Sequence, residues 1–283
     1  MPGNDTDHVL SPDTRLAFIG GGNMARSLIG GLLASGAPKA AIAVADPNAE
    51  TREALARDFG VRVHDANNDA AREADVLLLA VKPQAIREVS QGLRDTVQAT
   101  RPLVISIAAG VRIGQLDQWL GGNIAIVRVM PNTPALIGAG ASGLCAGRGV
   151  DARMHALAER ILASAGLVRW VDDEALMDTV TALSGSGPAY FFALVEALED
   201  AAAAQGLPRE TARALATQTC LGAGRMLAEN DEAPAELRRR VTSPGGTTAA
   251  ALASFETDHL HDVVARAVAA ATRRGGELSA ALD

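Results

Sequence analysis

The sequence predicts an α/β fold, a doubly wound and mostly parallel sheet, followed by an all-α domain. Three observations predict it. Short apolar runs alternate with helically spaced segments as far as Leu167–Asp172. A glycine-rich turn follows the first run directly. From Glu174 onward no strand-like run occurs, and apolar residues such as Phe191, Leu194, Val195, Leu198 and Ala202 recur at helical spacing.

The elements follow in order. Residues 1–13 are polar and carry acids early, so a disordered lead-in is expected. LAFIG (Leu16–Gly20) is a short apolar run ending in glycines, the pattern of a buried strand, and Met24–Ser35 has helical spacing. IAVAD (Ile42–Asp46) and VRV (Val61–Val63) flank a second helix, Thr51–Phe59. VLLLAV (Val76–Val81), LVISIAAG (Leu103–Gly110) and IAIVRVMP (Ile124–Pro131) complete the series. Several of these runs are apolar throughout, which calls for a parallel sheet covered on both faces. The dinucleotide-type domain is therefore placed at 14–171 and the helical domain at 172–283, the latter punctuated by Gly206-Leu-Pro208 and Glu232-Ala-Pro234. Helices this short of large side chains make a thin core alone, and association with a second copy is the natural remedy.

Composition narrows the function. Of 283 residues, 48% are hydrophobic but only 3% aromatic, so the interior is built of Ala, Leu and Val in closely packed helices. A net charge of -7 argues against nucleic acid as a partner, and the basic run Arg238–Arg240 reads as a solvated helix face. No apolar stretch approaches the roughly 18 residues of a membrane span; the most apolar helix, Tyr190–Ala204, is interrupted by Glu196, Glu199 and Asp200. The N-terminal stretch has no apolar h-region, so no secretory signal is expected and a soluble cytoplasmic protein is the default. Cys145 and Cys220 have no Cys or His neighbour at metal-ligand spacing, so both read as small buried residues and no metal site is expected.

The first chemical motif is FIGGGNMA, Phe18–Ala25. It supplies Gly20-x-Gly22-x-x-Ala25 between a strand and a helix, the context a pyrophosphate-binding turn requires. Gly20 allows the tight turn, Gly22 lets the backbone approach the phosphates, and Ala25 permits close helix–strand packing, as in Rossmann-type domains. Asp46 ends the second strand, where an acid takes ribose hydroxyls and favours NAD over NADP; a turn or cap role before Pro47-Asn48 fits equally well. In AVKPQ (Ala80–Gln84) Lys82 points either at the cofactor or into solvent. SIAAG, which contains Ala108, and MPNTP, which contains Asn132-Thr133 between two prolines, lie at strand ends on the same edge and suit a wall for a nicotinamide or a rigid turn. In LSGSGPAY, Pro188 fits a first helical turn and Ser186 or Gly187 its cap, which explains the serines Ser184 and Ser186 without catalysis. None of the five histidines falls in these motifs, which disfavours a His-based dehydrogenase.

The last motif is SPGGTTAAAL, Ser243–Leu252. Ser243 reads as an N-cap and Pro244 as the first helical residue, with Gly245 and Gly246 following in the first turn. Two glycines there weaken a helix by roughly 0.5–1 kcal/mol each. Capping leaves that cost unexplained, whereas close approach of an anion to bare amides explains it.

FIGGGNMA, AVKPQ, SIAAG, MPNTPA, SGSGPAY and SPGGTT, in this order and spacing from about Thr14 to the C-terminus, resemble the Δ1-pyrroline-5-carboxylate reductase family. The resemblance implies reduction of a cyclic imine to L-proline by NADPH or NADH, a helical dimerisation domain, and an active site shared between the cofactor domain of one subunit and the helical domain of another, in dimers that many members build into decamers. It implies cofactor contacts at Gly20, Gly21, Gly22, Asn23 and Met24 and at Ala80, Val81, Lys82 and Pro83, with Asn67 near the adenosine. Ser243, Gly245, Gly246, Thr247 and Thr248 are implied for the substrate, Thr248 lying nearest the ring nitrogen. Members often carry a small polar residue where this chain has Asp46. Two rivals are weighed beside it. A 3-hydroxyacid dehydrogenase needs an acid–base group such as lysine in its helical domain, and the two lysines here, Lys39 and Lys82, lie outside it. A dinucleotide sensor without turnover has no use for SPGGTT.

Overall fold

The computed structural model describes residues 10, 11 and 13–282. Eight strands form one sheet: β1 (Leu16–Ile19), β2 (Ile42–Ala45), β3 (Arg62–His64), β4 (Val76–Leu79), β5 (Leu103–Ser106), β6 (Ile126–Met130), β7 (Gly140–Ala146) and β8 (Gly166–Trp170). Their order across the sheet is β3-β2-β1-β4-β5-β6-β7-β8. All neighbours pair in parallel except β6 and β7.

Helices α1 (Asn23–Ala34), α2 (Ala49–Phe59), α3 (Asn67–Ala71), α4 (Ile86–Thr100), α5 (Ile113–Trp119) and α6 (Ala152–Ala163) cover this sheet on both sides. Strand side chains alternate between two cores. Leu16 and Phe18 join Leu28, Ile29 and Leu32 of α1 on one face, and Ala17 and Ile19 join Leu93 and Val97 of α4 on the other. That is why β1, β2, β4 and β5 are buried at every position. α4 is amphipathic, with Ile86, Ser90, Leu93 and Val97 inward at helical spacing.

The chain then runs through α7 (Met177–Val180) and a π-helical turn, Thr181–Gly185, into α8 (Gly187–Ala204), α9 (Arg209–Glu229), α10 (Pro234–Arg240), α11 (Thr247–Thr257) and α12 (Leu260–Ala280). Two compact units result, one holding residues up to Gly185 together with Ala271–Asp283, the other Ser186–Ala270. The compact units divide at Gly185, while the boundary expected from the sequence lies at residue 172, and the last turns of α12 join the sheet unit. The reason is packing that periodicity does not reveal. Arg128 of β6, 4% exposed, pairs with Glu174 at 3.0 Å and Asp178 at 3.4 Å, and Glu174 also accepts from the Ile113 amide at 2.8 Å. Gly275 of α12 lies against Asp178, and the Ser279 carbonyl accepts from Gln115 at 3.3 Å.

Other expectations shift as well. β7 and β8 are not legible as strands: GASGLCA is glycine-rich, and Gly166 is required both by its φ of +145 and because a side chain there would strike Gly140. The lead-in expected at residues 1–13 lies mostly outside the described residues, yet Leu10 is 1% exposed and belongs to the core, and Ser11 bonds Thr14 at 2.7 Å. Cys145 is buried in β7, and desolvation and Glu174 push its thiol above the usual range, which suits an inert packing residue. Among the described residues no helix is long and apolar enough to cross a membrane.

In the helical unit, ion pairs join α8 to α9. Glu199 of α8 is 6% exposed and accepts from Arg213 and Arg209 of α9, each at 2.9 Å. Many of the unit's large apolar side chains face outward, Phe191 at 59% and Phe192 at 67% exposure among them.

Candidate active site

Parallel strands put all their C-terminal ends on one edge. Read across that edge, the segments following β3, β2, β1, β4, β5 and β6 carry Asn67, Asp46, Gly20, Ala80, Ala108 and Asn132 in turn. The chain steps from β1 outward to β2 and β3 and then returns to β4 on β1's other side. That reversal opens a ligand crevice beside the β1 turn.

The turn itself is set by sterics. Gly20 has φ +96, and a Cβ there would come 2.7 Å from the Ala80 carbonyl. Gly21 is buried, and a Cβ on it would meet Leu55 of α2 at 2.6 Å, so glycine here lets α2 pack against the turn. Gly22 is different. It caps α1 in extended geometry, is exposed, and a side chain on it would meet nothing within 4 Å. The first helical bond runs from the Arg26 amide to the Gly22 carbonyl at 3.0 Å, leaving the amides of Asn23, Met24 and Ala25 without intrahelical partners beside that open space.

Asp46 accepts from the Gly21 amide through Oδ2 at 2.8 Å and from the Asn48 amide through Oδ1 at 2.9 Å. Its turn role is therefore real, and helix capping falls to Asn48, which accepts from Thr51 at 2.9 Å. Lys82 is exposed and makes no ion pair with the described residues; Val81 and Pro83 flank it, half-buried. Ala108 is 3% exposed. Asn67 opens α3, and it is the next residue, Asn68, that is committed to α4, bonding Gly92 at 3.2 Å and Thr96 at 2.7 Å.

The extended loop expected at Asn132-Thr133 holds for Asn132 alone. The backbone around it is extended, but Thr133 starts a 3-10 turn, Thr133–Ile137. The Asn132 side chain is 9% exposed and engaged at both ends, donating to the Ser184 carbonyl at 3.0 Å and accepting from the Ala141 amide at 2.8 Å. It joins the end of β6 to the π-turn and to β7. Ser184 and Thr181 bond back to the carbonyls of Val180 and Met177 at 3.0 and 2.8 Å. Ser186 sits at the N-cap of α8 without capping it through its side chain. The motif LSGSG carries no sequence signal for a π-turn, a feature often found at functional sites.

In the helical unit, SPGG precedes α11 instead of opening it. The Gly246 amide bonds the Ser243 carbonyl at 3.1 Å and Gly245 takes φ +70, so Ser243–Gly246 is a turn with Pro in its second position and a left-handed Gly in its third. Gly246, not Ser243, is the N-cap, and no side chain caps the helix. The first helical bond reaches from Ala250 to Gly246 at 3.2 Å, which leaves the amides of Thr247, Thr248 and Ala249 without intrahelical partners. Gly245 is needed for its backbone angle, and Gly246 keeps the mouth of the helix open.

The comparisons with known proteins agree with this arrangement. The family described as pyrroline-5-carboxylate reductase dimerisation matches residues 174–278, and the one described as NADP oxidoreductase, coenzyme F420-dependent, matches residues 15–110. A pyrroline-5-carboxylate reductase of Pseudomonas aeruginosa is 50% identical over 265 residues, 94% of this chain and 97% of that protein. The chain belongs to the pyrroline-5-carboxylate reductase family. A member from Arabidopsis thaliana is 38% identical over 94% of this chain and 95% of its own length. The solved family structure from Coxiella burnetii superposes with a TM-score of 0.92 at 44% identity, covering 94% of this chain and 99% of that one. The Plasmodium falciparum pyrroline carboxylate reductase, solved with NADP bound, gives 0.82 at 31% identity over 95% of this chain and 99% of its own. Membership makes this chain an oxidoreductase of the NAD(P)H-using kind with a dimerisation domain.

Proposed function

We infer that this chain reduces 1-pyrroline-5-carboxylate to L-proline by hydride transfer from NAD(P)H, the last step of proline biosynthesis. The observation that carries the reading is the presence, in one chain of this family, of two bare helix ends: Gly22–Ala25 at α1 and Gly246–Ala249 at α11. Each is an anion site without a side-chain cap. The first sits at the sheet crevice and suits a pyrophosphate. The second suits the carboxylate of a small acid.

The first unit leaves room for a dinucleotide's pyrophosphate at the α1 amides, since nothing lies within 4 Å of where a Cβ on Gly22 would stand. The residues that would hold it are Gly20, Gly22, Asn23 and Met24 at the turn, Asp46 and Asn67 on the adenosine side, and Ala80 to Pro83, Ala108 and the backbone about Asn132 on the nicotinamide side. When bound, the cofactor supplies the hydride. The chain's own work is orientation. The amides of Thr247 and Thr248 grip the substrate carboxylate, the Thr248 hydroxyl aligns the ring nitrogen, and the protonated imine is already electrophilic enough to need no strong protein acid. Holding two reactants in register supplies on the order of 7–11 kcal/mol of the barrier. A site without His or Lys in its substrate motif is therefore sufficient.

The proposal extends to a cytoplasmic homo-oligomer, at least a dimer and in larger form a decamer, consistent with the outward apolar side chains of the helical unit. The test is imine-dependent oxidation of NADH and NADPH by purified protein. Proline formation establishes the reading. Dinucleotide binding without oxidation leaves a sensor in its place.

A further inference from the structure

We propose that Asp46 makes this chain an NADH-preferring member of its family, and that the hydrogen bonds on Asp46 are what enforce the preference. The proposal rests on the reading of the first unit as a dinucleotide site.

Asp46 is the first residue beyond β2, next to the β1 turn. Its carboxylate is not free to swing. Oδ2 is tied to the Gly21 amide at 2.8 Å and Oδ1 to the Asn48 amide at 2.9 Å, while its own amide donates to the His64 carbonyl of β3 at 3.1 Å. The carboxylate is thus braced from the β1 turn and from the start of α2, and the backbone that carries it from β3. A carboxylate oxygen has a second lone pair, so each oxygen retains one acceptor position after these bonds. Turn and ribose roles, which appear as alternatives in the sequence, become one: the turn bonds aim the acceptors at the crevice edge where the adenosine ribose lies in this fold.

A ribose diol donates two hydrogen bonds to such a group. A 2′-phosphate brings negative charge to the same place and donates none. In a site able to bend, the carboxylate could rotate off. Here rotation would strand the Gly21 amide, which is buried. The guanidinium that stands beside Asp46, Arg52, spends Nη1 on the carbonyls of Asp46 and Pro47 at 2.8 and 2.9 Å.

The experiment measures dissociation constants of NADH and NADPH by titration calorimetry on the purified protein without imine, alongside kcat/KM for each. NADH is expected to bind at least tenfold more tightly. Asp46→Ser removes the charge, and Asp46→Asn removes it while keeping size and one acceptor. Either folded variant should narrow or reverse the ratio, NADPH binding gaining at least tenfold. Equal or tighter NADPH binding by the wild type, or an unchanged ratio in both variants, overturns the proposal while leaving the reductase reading intact. Failure of both dinucleotides to bind overturns the two together.

Discussion

The side-chain amide of Asn132 donates to the carbonyl of Ser184 at 3.0 Å while its oxygen accepts from Ala141 at 2.8 Å, so a single buried residue fastens the end of β6 to the π-turn that leads into α8. Asn132 therefore acts as a positioning residue. Asn132→Ala removes the partners of the half-buried Ser184 carbonyl and Ala141 amide, at a cost of up to about 1–3 kcal/mol each. The expected outcome is a fall in kcat with the cofactor dissociation constant unchanged. Asn132→Asp keeps the bond to Ala141 and loses the donor to Ser184, and it should lose kcat likewise. A variant with wild-type kcat, or one whose loss appears only in cofactor binding, would contradict this role.

Gly22 takes ordinary extended dihedrals, φ -69 and ψ -175, in open space. Gly22→Val should therefore fold normally, with the melting temperature held. The branched side chain then occupies the approach to the α1 amides, and dinucleotide binding should be abolished. Calorimetric titration of the folded variant checks this; unchanged affinity removes the turn from the cofactor site.

Thr248 is the second residue of α11, half-buried at its uncapped mouth. Loss of a hydrogen bond to a charged group costs about 1.5–3 kcal/mol, so Thr248→Ala should lower kcat/KM for the imine by roughly tenfold or more. Cofactor affinity should stay as it is. Steady-state kinetics with the imine varied would remove Thr248 from the site if the variant matched the wild type.

Phe191 and Phe192 present their rings outward on α8. An obligate dimer is expected, and Phe192→Asp should yield an inactive monomer or aggregate. Light scattering that finds a stable, fully active wild-type monomer would rule the dimer out.

Glu199 gives a pH signature. The hydrogen bond from Arg213, together with that from Arg209, holds its carboxyl below the usual carboxylate range. A depressed folded value means the stabilisation is fully present above the carboxyl's unfolded value and fades as pH falls through the folded one. Glu199→Gln should melt below the wild type at neutral pH, and the gap should close in acid. A gap independent of pH would mean that packing, not charge, fastens α8 to α9.

How much of this was legible in the chain can be argued from particular residues. The strands at Leu16–Ile19, Ile42–Ala45 and Val76–Leu79 are apolar at each position because both faces are covered, and burial of that kind leaves a local signature. The Gly20-x-Gly22 turn is legible for a similar reason: its steric demands act on neighbours within the same few residues. β7 was not legible, because its glycines answer to residues far along the chain, Gly140 to Ala165 and Gly143 to Val180. The same holds for the domain boundary, which follows Arg128 reaching Glu174 and Asp178.

The site divides in the same way. Residue types set by short-range chemistry, the glycine turn after β1 and the helix start in SPGGTT, stand in the order of the amino acids, whereas folding moves the N-cap from Ser243 to Gly246 and leaves that start uncapped. What each side chain does with its hydrogen bonds depends on partners brought together by folding. Sequence leaves Asp46 divided between a turn and a ribose, and Asn132 between a nicotinamide wall and a rigid turn. The fold gives Asp46 the Gly21 amide and Asn132 the Ser184 carbonyl, because buried polar groups must find partners and these lie 25 and 52 residues away in the chain.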